Sequence, residues 1–241
     1  METVAVVGTV RALYRYPVKS MAAEPLESVY VGWHGLAGDR RWAFLRPNSE
    51  GSGFPWMTIR EKPDMWQYRA VFADPADVEG SKMLVRTPDG REFEVTDPEL
   101  ASELGDGVRV MKQYSGIFDT FPLSLLSVQS VDGLASLIEG NPALTPLRFR
   151  PNLVIDSSDA TSPFPEEGWE SCTLRIGEAR IRLNARDQRC MMVNVNPDAP
   201  ADANPAVLRT IAKQRNARFG MYGGAMLPGR VSVGDPVLVE R

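Results

Sequence analysis

The 241-residue chain holds one histidine, His34, and two cysteines, Cys172 and Cys190. These scarcities exclude much. So few cysteines make no disulfide framework in a chain this long. A single histidine and no second cysteine pair make none of the usual zinc sites. A Ser-His-Asp or Cys-His mechanism would have to run through His34. There is no four-cysteine set for an iron–sulfur cluster. There is also no Gly-rich βαβ fingerprint for a nicotinamide, since Gly220 and Gly223-Gly224 lack that spacing. Long apolar runs are missing: Val4 to Val7 is too short for a signal-peptide core or a membrane span. Glu2 stands where a signal peptide carries positive charge. The expected location is cytoplasmic, with no membrane partner. Nor is there surplus positive charge. Lys and Arg number 27 against 31 Asp and Glu, a net charge of -4, which argues against a nucleic-acid partner. An anionic ligand would need a local cluster of Lys and Arg.

What is present reads as mainly β with a few helices. Val4 to Val10 is apolar; Leu26, Val29 and Val31 run up to Gly32; Trp42 to Leu45 is a short strand. Met83-Leu84-Val85 and Phe93-Glu94-Val95 flank the turn sequence Pro88-Asp89-Gly90, predicting a hairpin. Val108 to Val110 alternates. Ala179, Ile181 and Leu183 alternate with Arg180 and Arg182, the pattern of a half-buried strand. Val231 to Val233 and Val237 to Val239 flank Gly234-Asp235-Pro236, predicting a closing hairpin. Two helices stand out. Val131, Leu134, Ala135 and Ile138 follow a cap at Ser127 or Ser130 and stop at Gly140. Asn204-Pro205 is a cap followed by an N1 proline, with Val207, Leu208, Ile211 and Ala212 as the apolar stripe.

Four segments carry chemistry. In Arg186-Asp187-Gln188-Arg189-Cys190 a thiol stands beside two arginines, and neighbouring guanidiniums favour the thiolate that binds soft metals or attacks sulfur. Tyr16-Pro17-Val18-Lys19-Ser20 follows a φ-fixing proline with a point charge and a hydroxyl, suited to a phosphate or pterin. Gly38-Asp39-Arg40-Arg41-Trp42 offers a guanidinium, the natural bidentate clamp for a phosphate. Arg148-Phe149-Arg150-Pro151-Asn152 precedes an apolar run. Each has a bland alternative: a small buried cysteine, a solvated lysine, a structural Asp–Arg pair, a strand entry. Cys172 is read as packing only.

In this order the segments resemble the MOSC proteins, the family named after the C-terminal domain of molybdenum-cofactor sulfurases. The Tyr16–Ser20 segment resembles the N-terminal β-barrel module that often precedes that domain. The resemblance spans nearly the whole chain. It implies two β-barrel-like modules, residues 1–120 and 121–241, divided between a strand ending at Met111 and a helix starting at Leu125. It further implies the molybdenum cofactor (molybdopterin), with Cys190 as metal ligand. Lys19, Ser20, Arg40, Arg150, Asn152 and Arg189 would be cofactor contacts, and Asp39 would orient Arg40. The implied activity is reduction of small N-hydroxylated or N-oxygenated compounds. Electrons would come from an external ferredoxin-type or flavin-reductase-type protein. Two alternatives stay open: a sulfur carrier bearing a persulfide on Cys190, supplied by a pyridoxal-phosphate partner, and a non-enzymatic molybdopterin carrier. One departure bears on substrate: Asn196-Pro197-Asp198-Ala199-Pro200 lacks the Thr-Gly of the reductases' Asp-Pro-x-Thr-Gly.

Overall fold

The computed structural model describes residues 4–116, 120–159, 161–199 and 202–240. The chain is mainly β and folds into two compact units, which are interleaved in sequence. One takes the residues up to Tyr14, Pro25–Ala37 and the chain from Thr120 onward. The other takes Arg15–Glu24 and the chain from Gly38 to the 110s.

The first unit is built on a closed barrel of seven strands. They are β1 (Val4–Arg15), β2 (Leu123–Ser127), β3 (Leu153–Ser157), β4 (Thr173–Ile176), β5 (Ala179–Gln188), β6 (Arg218–Leu227) and β7 (Pro236–Glu240). Around the barrel the order is β1-β3-β2-β6-β5-β4-β7 and back to β1. Strand directions cannot alternate all the way round an odd ring, so one neighbouring pair must be parallel. That pair is β2–β3, in register Leu125↔Leu153. A parallel pair needs a crossover, and helix α1 (Val128–Ser136) supplies it. The first strand thus closes a barrel whose other six strands lie beyond residue 120. β1 runs on through Gly8, where the register with β7 shifts. A Cβ at Gly8 would lie 2.3 Å from the Asp156 carbonyl oxygen, so only glycine admits this approach of β1 to β3.

Alternation on these strands fills the interior. Leu13, Leu125, Leu153, Leu174, Ile181, Leu183, Met221 and Val239 belong to one buried cluster. Arg180 and Arg182 face outward, as their alternation predicts. Outside the wall, α1 and α2 (Pro205–Gln214) cover a second cluster of Leu126, Val131, Leu134, Phe149, Val193, Val207, Ile211 and Phe219. Both helices carry their predicted caps: Ser127 Oγ accepts from Ser130 N–H and Asn204 Oδ1 from Ala206 N–H.

Two expectations need correction. Leu125 does not start a helix: it is the middle of β2, every residue of which is buried, and α1 begins at Val128. Five consecutive residues facing interior and helices leave no polar alternation to betray the strand. Nor do the last two strands form a hairpin. Gly229–Ser232 pairs with Ser28–Gly32, while β7 pairs with β1 and β4. The turn at Gly234-Asp235 therefore passes the chain from one sheet to another.

In the second unit Trp42–Leu45 pairs antiparallel with Arg109–Lys112. Arg69–Phe72, Met83–Arg86 and Glu92–Glu94 form a meander that contains the predicted Pro88-Asp89-Gly90 hairpin. A short helix, Pro98–Leu104, went unread in the sequence, although Asp97 caps it and Leu100 and Leu104 anchor it at i and i+4.

Candidate functional site

In the second unit the structure brings two sequence-distant segments together. Lys19 N–H donates to the Trp42 carbonyl at 2.8 Å and Arg40 N–H to the Tyr16 carbonyl at 2.8 Å. Asp39 is the pin between them. It is wholly buried, and its carboxylate accepts from Tyr16 N–H at 2.7 Å and from Arg40 Nη1 at 2.5 Å. The Arg40 guanidinium also lies 4.8 Å from the Tyr16 ring centroid, a cation–π contact. Lys19 is nearly buried, its ammonium 5.5 Å from the Phe54 ring centroid.

In the barrel unit, Cys190 is the second residue after β5 and is exposed, at the start of the 3-10 turn Met191–Asn194. The flanking arginines do not turn toward it as the sequence suggested. Arg186 pairs with Glu167 at 3.1 Å and Glu170 at 3.6 Å. Arg189 turns inward: Nε donates to the Phe219 carbonyl and Nη1 to the Phe149 carbonyl, both at 2.7 Å. Nη1 also pairs with Asp187 at 2.8 Å; the two side chains are 7% and 2% exposed. Nη2 is buried with no hydrogen-bond partner among the described residues.

Asn152 is wholly buried, and its amide joins three strands. Oδ1 accepts from Ser124 N–H at 3.1 Å and Nδ2 donates to the Tyr14 carbonyl at 3.2 Å. Arg150 stands between a 3-10 turn, Pro146–Phe149, and Pro151, at φ 51° and ψ 46°. Ser20 at φ 68° and Arg40 at φ 48° share that left-handed region. Non-glycine residues held there cost on the order of 1–3 kcal/mol each and concentrate at ligand clamps. Arg148 is buried; it donates to the carbonyls of Asn194 at 2.9 Å and Asp202 at 3.2 Å. It thereby ties down the turn after Cys190, and burial lowers its pKa from the ordinary arginine value.

Sequence reading missed two residues here, Ser124 and Asp187. Ser124 Oγ donates to Asp187 Oδ2 at 2.9 Å, which links the Asn152 clamp to the Arg189 pair. The signal was an acid, Asp187, lying two residues before Arg189. Among the described residues no group of three or more His, Cys, Asp and Glu side chains gathers as a metal cage.

Comparison with known proteins now bears on this arrangement. The MOSC domain model matches residues 112–238, and the model for the MOSC N-terminal beta barrel domain matches residues 7–116. The chain belongs to the MOSC family. A relative, human mitochondrial amidoxime-reducing component 1, is 25% identical over 96% of this chain and 82% of its own length. The molybdenum cofactor sulfurase of Oryza sativa subsp. japonica is 24% identical over 90% of this chain but only 32% of its own. Among solved structures, the YUAD protein from Bacillus subtilis covers all of this chain and 98% of its own at a TM-score of 0.52 and 15% identity, a likeness of fold. No helix among the described residues is long and apolar enough to cross a membrane.

Proposed function

We propose that this MOSC protein binds the molybdenum cofactor and works as a molybdenum-dependent reductase of N-hydroxylated compounds. The observation that carries the reading is the exposed Cys190 thiol at the end of a strand whose neighbouring side chains are locked inward. One thiolate is a single soft ligand and cannot cage a bare ion. It suits a metal that arrives already held by an organic ligand, as in the molybdenum cofactor. The names of relatives that align along most of this chain, amidoxime-reducing component and molybdenum cofactor sulfurase, point to the same cofactor.

The chain's residues divide the work. Cys190 supplies the thiolate. Lys19, Arg40 and Arg150 supply positive charge to the phosphate, and Ser20 a rotatable hydroxyl. Asp39 holds the Arg40 guanidinium in one orientation. Asn152 fixes the strand that follows Arg150. Arg189 offers its remaining Nη2 donor. When bound, the cofactor supplies two-electron oxygen-atom transfer, with electrons delivered by an external ferredoxin-type or flavin-type protein.

The test is metal and pterin analysis of protein made in cofactor-competent cells, then turnover of an N-hydroxylated substrate with a chemical electron donor. Bound molybdenum with turnover supports the reading. Bound cofactor without turnover leaves a molybdopterin carrier. A stable extra sulfur on Cys190 without molybdenum selects the sulfur carrier instead.

A further inference from the structure

Asp187 is a buried carboxylate three residues before Cys190. It stands on an irregular stretch of β5: the register with β6 shifts between Leu183 and Ala185 and again between Arg186 and Gln188. Bulges of this kind re-aim side chains beside functional sites. Asp187 accepts from the Ser124 hydroxyl on β2 at 2.9 Å and forms an ion pair with Arg189 Nη1 at 2.8 Å. Arg189 in turn donates to the carbonyls of Phe219 on β6 and Phe149 before β3. Its backbone N–H donates to the Ala217 carbonyl at 2.8 Å. The residue immediately before Cys190 is therefore fastened by its backbone and by its side chain.

A second feature fits the same purpose. Gly220, at φ 76°, faces the guanidinium, and a Cβ there would lie 3.0 Å from Arg189 Nη2 and 2.9 Å from the Leu125 carbonyl oxygen. The wall has been cut back to admit a buried cation. An apolar pair of similar volume generally stabilises a fold as well as or better than a buried ion pair. What the ion pair adds is direction, since a planar guanidinium held by two carbonyls and a carboxylate has one orientation.

We propose that Asp187 is a positioning residue for Cys190: through the Arg189 guanidinium it fixes the backbone that presents the thiol. The proposal rests on Cys190 being the metal ligand, but its test needs no cofactor. In cofactor-free protein carrying Cys172→Ser, amide hydrogen exchange is followed across residues 189–193 together with denaturant stability. Asp187→Asn is expected to speed exchange of the Arg189 amide by about a hundredfold. The double variant Asp187→Asn/Arg189→Gln removes the buried unpaired charge, so stability is expected to recover while fast exchange at 189–193 persists. Arg182→Ala, outward on the same strand, is the control and is expected to exchange as the parent does. Parent-like exchange in Asp187→Asn, or recovery of protection together with stability in the double variant, overturns the proposal. Should Asp187→Asn fail to fold, the double variant alone decides. Loss of molybdenum binding by the parent protein would sink the functional reading without touching this result.

Discussion

Arg40 and Arg189 each pair with a buried aspartate, yet the fold treats them differently. Arg189 gives Nε and Nη1 to backbone carbonyls, Nη1 also pairs with Asp187, and its side chain is 7% exposed. Arg40 lies over the Tyr16 ring and pairs with Asp39, with a side chain 15% exposed. The sequence offers the same chemistry twice, a guanidinium beside an acid. What differs is burial, 7% exposed against 15%, and the more deeply buried guanidinium does more to hold the fold.

The largest effect that would sharpen this contrast is on stability. Arg189→Ala removes the buried cation that pairs with Asp187 and is expected to cost about 3–5 kcal/mol in denaturant unfolding. Arg40→Ala is expected to cost less, about 1–3 kcal/mol, because Asp39 keeps its bond from Tyr16 N–H. Equal losses from the two would erase the distinction. Cofactor retention is expected to separate the same residues differently. Lys19→Ala, Arg40→Ala and Arg150→Ala each remove a charge-assisted contact of roughly 1.5–3 kcal/mol, read as faster release of pterin on dialysis.

A smaller, pH-dependent effect concerns Glu166, buried against α1. Its Oε2 accepts from the hydroxyls of Ser127 at 2.5 Å and Ser130 at 2.7 Å, and Oε1 has no partner among the described residues. Burial raises its carboxyl above the ordinary carboxylate range, outweighing those hydrogen bonds. The folded state then holds the proton more tightly than the unfolded chain does. Its contribution to stability is full below the unfolded value and is lost as pH rises through the folded one. Glu166→Gln, which cannot ionise, is expected to be more stable than the parent at neutral pH, the two converging below about pH 4. Parent-like stability at every pH would place the charge in water. Least of all is expected from Arg180→Ala and Arg182→Ala, within about 0.5 kcal/mol in stability, since both side chains face solvent.

Much of the fold was legible where one face meets water. The Arg180/Arg182 alternation, the Pro88-Asp89-Gly90 turn and the Ser127 and Asn204 caps announce themselves locally. β2 did not, because all its residues are buried and a short apolar run reads equally as helix or strand. The final turn misled because residue pattern shows that a chain reverses, while partner choice depends on distant strands. For the candidate site, motif order named the residues proposed, and the expected Asp39–Arg40 pair is present. Direction was hidden: nothing local tells that Arg186 and Arg189 turn to acids and carbonyls while Cys190 stays exposed.

That exposed thiol as the metal ligand is the central claim, and molybdenum per protein in Cys190→Ser tests it most directly. Parent, Cys190→Ser and Cys172→Ser are purified from the same cofactor-competent cells and compared by metal analysis. A hydroxyl is a harder and poorer ligand than a thiolate. The account predicts molybdenum in the parent and in Cys172→Ser and its loss from Cys190→Ser, with the fold intact by circular dichroism. Equal molybdenum in all three would contradict it.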